Sequence, residues 1–155
     1  MDKKIKNPYA RLDGYNCFGC SPDNPFGLKM QFREEGEYLF SEWDPAKNYE
    51  GWLNVVHGGI QATMMDEIAS WVVFVKAGTA GVTRSMDIKY KKPVHVTEGK
   101  ITIRAKLEGI NRNMADIRVE LISNNIVKSE ALVRYFLYDQ KTAKETFFFP
   151  GKDHF

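Results

Sequence analysis

The spacing of apolar positions changes period twice along the chain, and each change marks a different element. Leu28, Met30 and Phe32 alternate with Lys29, Gln31 and Arg33, the period of a strand with one buried face. A Glu35-Gly36 turn leads into the apolar-rich run Tyr38–Trp43, and the two runs together predict a hairpin. Asp44 to Trp52, with Pro45, Asn48 and Gly51, reads as a loop. From Gly58 to about Lys76 the alternation disappears. Ile60, Met64, Met65, Ile68, Ala69 and Trp71 to Val75 are spread around a helix that no proline interrupts, and Gly78 comes after it as a stop. Such a helix is apolar on nearly every side, which predicts burial. Strand periodicity then returns in Met86-Ile88-Tyr90, in Ile101 to Leu107, in Ile117-Val119-Leu121 and in Val127 to Tyr138. Ser123-Asn124-Asn125 has the composition of a hairpin turn. Residues 1–27, rich in Asn, Pro, Gly and Asp, predict an irregular arm or a covering segment.

Two strands, one long helix and four strands make an α+β chain. Because sequential strands usually pair, the last four are expected to form an antiparallel meander. A helix that is apolar all round must be wrapped by that sheet, and one sheet covers only part of it. A second subunit is therefore expected over the remainder.

Length and composition restrict the function. At 155 residues the chain fits one domain, spanning 1–155, and 13% aromatic content excludes general disorder. The 22 basic and 20 acidic residues leave a net charge of +2, which gives no basic face for nucleic acid. The longest unbroken apolar run, Trp71 to Val75, is far too short for a membrane helix, and the early lysines precede no signal-like apolar stretch. Two cysteines are too few for a disulfide framework. The expectation is a reduced, cytoplasmic protein with neither nucleic-acid nor membrane partners.

Chemistry concentrates in Val56-His57-Gly58-Gly59-Ile60-Gln61-Ala62-Thr63-Met64-Met65-Asp66-Glu67. Asp66 and Glu67 sit inside the most apolar helix, where an ionised carboxylate needs a partner or a site. Ala62, Thr63, Ala69 and Ser70, three and four residues either side of Asp66, are small and leave room for a ligand. Gly58-Gly59 opens the helix without side chains, so backbone N–H groups at its positive end can meet an oxygen. An oxyanion donor near a carboxylate suits acyl transfer; a capped helix whose acids pair with Lys or Arg is the alternative.

This segment resembles the signature of hotdog-fold acyl-CoA thioesterases of the 4-hydroxybenzoyl-CoA and phenylacetyl-CoA type, in which His-Gly-Gly starts a helix bearing a catalytic acid. Gly81-Val82-Thr83, Met86 to Tyr90 and Lys92-Pro93-Val94 are similar to the family's strand after that helix, and Glu98-Gly99 to its entry into the next strand. Cys17-Phe18-Gly19-Cys20 with Asn24-Pro25-Phe26-Gly27-Leu28 resembles a header seen in some members. The resemblance implies a hotdog fold, an antiparallel sheet wrapped around one long central helix. It implies hydrolysis of an acyl-CoA by a homodimer or dimer of dimers, with no cofactor beyond the coenzyme A of the substrate. Asp66 would be base or nucleophile, with Glu67 as second choice. Gly59 would donate its N–H to the thioester oxygen, Thr83 would hold water or the carboxylate, and His57 would complete the catalytic set. The site would lie between subunits, with Asp66 facing His57-Gly58-Gly59 of the other chain.

Gly58, Gln61, Glu67, Lys91, Lys92 and Arg112 are the candidate substrate-binding residues, the last three for coenzyme A phosphates or else as solvated strand ends. His57 reads as a positioning or helix-initiating residue before an acid–base. Cys17 and Cys20 have half the spacing of a zinc site, but no second Cys pair exists, so a structural turn and no metal are expected. Phe147-Phe148-Phe149 is too apolar for a free tail and is expected to pack on a partner or cover the acyl tunnel. Two rivals stay open: a hotdog hydratase or dehydratase, and a hotdog protein that only binds acyl-CoA.

Overall fold

In the computed structural model, which describes residues 2–155, the strands are β1 (Asp2–Lys4), β2 (Arg33–Glu35), β3 (Tyr38–Trp43), β4 (Gly81–Tyr90), β5 (Ile101–Asn111), β6 (Met114–Ser123) and β7 (Ile126–Leu137). Helix α1 spans Gly58–Val72 and α2 spans Gln140–Phe147. The strands form one antiparallel sheet in the order β1-β2-β3-β5-β6-β7-β4.

The sheet's inner face is set by alternation. Leu39 and Trp43, Ile101, Ile103 and Ala105, Ile117, Val119 and Leu121, and Ala131, Val133 and Tyr135 are all buried. Against them lies α1, which packs on β3, β4, β5, β6 and β7 and buries Met64, Met65, Ile68, Trp71 and Val72. Each such side chain contributes about 1.5–3 kcal/mol on leaving water. The helix continues as one π-helical turn, Val73–Ala77, and stops at Gly78, whose φ of 70° closes its end. This is the hotdog fold, with the central helix where its periodicity places it.

Three expectations need correction. The expected strand over Leu28–Phe32 does not form. Leu28 and Met30 donate backbone hydrogen bonds to Phe18 and Gly19, and Phe32 accepts one from Ile5, so this stretch pairs with the amino-terminal arm. That arm is otherwise largely irregular: it contributes the short β1 and covers the core with Ile5 and Tyr9. The last four strands are not a simple meander, because β4 crosses the sheet to pair with β7 while β5, β6 and β7 meander. Finally, Phe147 and Phe149 pack on their own chain, while Phe148 stays exposed. Asp139 caps α2, Phe149 stacks on Phe74 at 6.2 Å, and Phe147 stacks on Tyr138 at 4.7 Å.

Two regions of α1 and the sheet remain open. β4 lies at the sheet edge with most of its residues exposed, and Gly59, Ala62, Thr63, Asp66 and Ser70 form an incompletely covered stripe on α1. Among the described residues no helix is long and apolar enough to cross a membrane.

Candidate active site

The site begins where the chain enters α1. His57 is the N-cap, and its Nδ1 accepts the Gly59 N–H at 2.8 Å. The N–H expected to meet a thioester oxygen is thus capped by the neighbouring imidazole, and it becomes available only when that ring rotates away. Gly58 lies against Tyr90, whose hydroxyl donates to the Gly58 carbonyl at 2.8 Å. A hollow of about 340 Å³, lined in part by His57, Gly59, Ile60 and Thr63, opens beside this turn.

Two turns along the helix, Asp66 occupies the open stripe. Its Oδ1 accepts hydrogen bonds from Thr83 Oγ1 and from the Tyr135 hydroxyl, both at 2.7 Å. Thr83 and Tyr135 are directly opposed across β4 and β7, so the pleat sends both side chains to the same face. Burial, and then the charge of Asp66, push the Tyr135 phenol above its ordinary value, which keeps it a donor. Among the described residues no hydrogen bond uses Asp66 Oδ2, which leaves one carboxylate oxygen for chemistry.

The other candidates divide. Gln61 is buried, with Nε2 donating to Val56 O at 3.1 Å and Oε1 accepting from Ser129 at 2.9 Å. Its amide ties the start of the helix to the sheet. Glu67 leaves the helix about 100° round from Asp66 and meets Cys17 and Trp71. Lys91 is ion-paired with Glu130 at 3.0 Å. Lys91 and Lys92 lie at the end of β4 that adjoins Gly58 through Tyr90, and their N–H groups donate to Lys128. Arg112, in the β5–β6 turn, lies at the opposite end, where Asn113 accepts from Leu137 and Leu137 opposes Gly81. Ten residues of strand separate those ends by about 30 Å, so one chain does not gather these cations.

Tyr135 is the residue sequence reasoning missed. Its alternation with Val133 and Ala131 marks it as inward-facing. Its approach to Asp66 depends on β4 pairing with β7, which local periodicity does not disclose.

Several solved structures share this architecture. One, a thioesterase superfamily protein, superposes with a TM-score of 0.71 at 18% identity, over 79% of this chain and 60% of the other. The chain thus spans less than two thirds of that relative. A hypothetical thioesterase protein from Streptococcus pneumoniae, solved with coenzyme A, gives a TM-score of 0.65 at 19% identity, over 72% of this chain and 90% of the other. A Streptococcus mutans protein bound to acetyl-CoA gives 0.67 at 16%, over 84% and 98%. No curated protein sequence matches significantly. Residues 53–130, half of the chain and including α1, Asp66 and Thr83, match the thioesterase superfamily, and the chain belongs to that superfamily.

Proposed function

We propose that this protein is an acyl-CoA thioesterase in which Asp66 activates water as general base, or attacks the thioester as nucleophile. The observation that carries this reading is the Asp66 carboxylate, fixed at one oxygen by Thr83 and Tyr135 on an otherwise open face of α1. Fixing Oδ1 orients Oδ2 toward a substrate at no entropic cost during the reaction. Hydrolysis needs nothing beyond water and the acyl-CoA, and coenzyme A is part of the substrate. That two structural relatives hold coenzyme A and acetyl-CoA supports the substrate class.

Helix geometry adds a requirement. Gly59 and Asp66 are seven residues apart, about 10 Å along the axis. A reacting carbonyl needs its oxyanion donor and its attacking group within about 3 Å of adjacent atoms. One chain's Gly59 N–H and its own Asp66 cannot serve the same carbonyl. A second copy can, by presenting its Gly59 to this Asp66 across the open stripe. In this arrangement the incoming thioester oxygen displaces His57 Nδ1 from the Gly59 N–H. The ring thereby switches from cap to neighbour of the substrate, which is a positioning role.

Thiol release from a panel of short, long and aromatic acyl-CoA substrates tests the activity. Asp66→Asn, which preserves shape but supplies neither base nor nucleophile, should lower kcat by about 10²–10⁴-fold with acyl-CoA binding retained. Wild-type protein that binds acyl-CoA without turnover would leave the binding-only reading. For the shared site, Asp66→Asn and Gly59→Val chains are unfolded together and refolded as mixed dimers. Half of the dimers are then mixed, each with one intact site, so about a quarter of wild-type activity should return. No recovery would place the site within one chain.

A further inference from the structure

The Cys17-Phe18-Gly19-Cys20 turn does not stand alone in the fold. Cys17 Sγ lies 3.5 Å from both carboxylate oxygens of Glu67, fifty residues away on α1. One ligand atom from each of Cys17, Cys20 and Glu67 lies within 4.8 Å of the others. We propose that Cys17, Cys20 and Glu67 bind a thiophilic divalent cation, zinc above all, which clamps the amino-terminal arm to α1 one residue beyond Asp66.

The distances suit a shared centre. With zinc about 2.3 Å from sulfur and about 2.0–2.2 Å from a carboxylate oxygen, tetrahedral ligands S and O stand about 3.5–3.7 Å apart. Cys17 and Glu67 have that separation already. Two thiols with one carboxylate also match the ligand preference of zinc over magnesium or calcium. Cys17 is half-buried, and a water would supply the fourth ligand of a tetrahedral ion.

The surroundings are built for the cluster. Trp71, itself buried, donates its indole N–H to Glu67 Oε1 at 3.1 Å, the kind of outer contact that orients a metal ligand. Gly19 packs so closely on Glu67 that any Cβ there would overlap the carboxylate. Two backbone bonds, from Leu28 to Phe18 and from Met30 to Gly19, pin the turn in place.

The charge balance also calls for a cation. None of the ion pairs among the described residues reaches Glu67. A divalent ion held by Cys17, Cys20 and Glu67 would supply that carboxylate with a counter-charge.

The test uses the whole chain, purified under reducing conditions without chelator, with zinc measured by elemental mass spectrometry. One zinc per chain is expected. Added cobalt should replace it and give a thiolate-to-cobalt charge-transfer band. Cys17→Ser and Cys20→Ser should abolish that band in protein whose circular dichroism shows it folded. Trp71→Phe should weaken cobalt affinity by about 10–100-fold, while Asp66→Asn should leave it unchanged. Reduced wild-type protein with no zinc and no cobalt band overturns the proposal, and this readout needs no variant to fold. So does a band that survives Cys17→Ser, or a Cys17–Cys20 disulfide recovered in place of metal. None of these readouts depends on thioester hydrolysis.

Discussion

Tyr135→Phe is the sharpest perturbation of the site, because it deletes one atom and keeps the ring. The Tyr135 hydroxyl lies 2.7 Å from Asp66 Oδ1 and 3.0 Å from the Asp66 carbonyl. It has a single proton, and the shorter contact to the charged oxygen takes it. A hydrogen bond to an ionised group contributes about 1.5–3 kcal/mol, and each 1.36 kcal/mol is tenfold in rate. Loss of the whole bond in the transition state would lower kcat by about 10–150-fold. Thr83 still donates to the same oxygen at 2.7 Å, so the lower end of that range is expected. Removing both donors frees the carboxylate to rotate. The Tyr135→Phe/Thr83→Ala double variant should therefore lose more than the product of the two single losses, as coupled partners do.

The assay is steady-state thiol release, with melting temperature measured on the same samples. KM should change little, since neither hydroxyl needs to touch coenzyme A, and Thr83→Ser should retain most of kcat. Tyr135 is 3% exposed, so the lost bond to a charged group also costs about 1.5–3 kcal/mol of stability, or roughly 3–12 °C in Tm. A kcat unchanged in Tyr135→Phe, with only the melting temperature lowered, would make Tyr135 a structural tyrosine and refute its positioning of Asp66. A rise in KM at constant kcat would refute it equally.

Glu98, Phe155 and the edge strand β4 each give a further measurable outcome. Glu98 accepts from His95, Ser123 and Lys128, and the His95 contact above all lowers its pKa from 4.5 to about 2; the stability it adds is complete above pH 4.5 and lost as pH falls through 2. Urea midpoints of Glu98→Gln should accordingly vary less over that interval than wild-type midpoints, and parallel curves would contradict this. Phe155 is buried against Phe74 at 5.3 Å and Trp71 at 5.7 Å; Phe155→Ala should cost about 3–5 kcal/mol, and a thermal melt that shifts by less than about 2 °C would show that this cluster does not hold the helix end. Light scattering should give a multiple of the 17.8 kDa chain mass, because β4 leaves a ten-residue edge unpaired beside the open stripe of α1, and an active single-chain species would sink that expectation.

The features legible in the sequence are those the chain decides locally. The central helix is legible because nothing but a wrapped helix tolerates apolar residues at Met64, Met65, Ile68, Trp71 and Val72 together. Asn124 and Asn125 adopt φ of 52° and 60°, which is why Ser123-Asn124-Asn125 marks a hairpin without any knowledge of its strands. Leu28–Phe32 misleads for the same local reason. Its alternation does bury Leu28, Met30 and Phe32, but its backbone partners lie in the arm, and Lys29 at φ 53° breaks the extended run. Helix α2 has a cap in Asp139, yet its eight residues carry too little apolar periodicity to stand out.

The site shows where local reading stops. Asp66 and Thr83 are visible because a charged residue in a buried helix demands a reason, and the family signature supplies one. Tyr135 looks like any inward strand residue until β4 is known to cross to β7, which makes Thr83 and Tyr135 opposite one another. Glu67 shows the converse. Adjacent to Asp66 in sequence, it reads as a second choice for the same role, but 100° of helical rotation gives the two carboxylates different neighbours. One meets two hydroxyls on an open face, and the other meets two thiols and an indole in the interior. A hydroxyl pair orients a carboxylate for reaction, whereas a thiol pair beside one invites a metal. The roles proposed for Asp66 in catalysis and for Glu67 in anchorage thus differ because the helix gives the two side chains different surroundings.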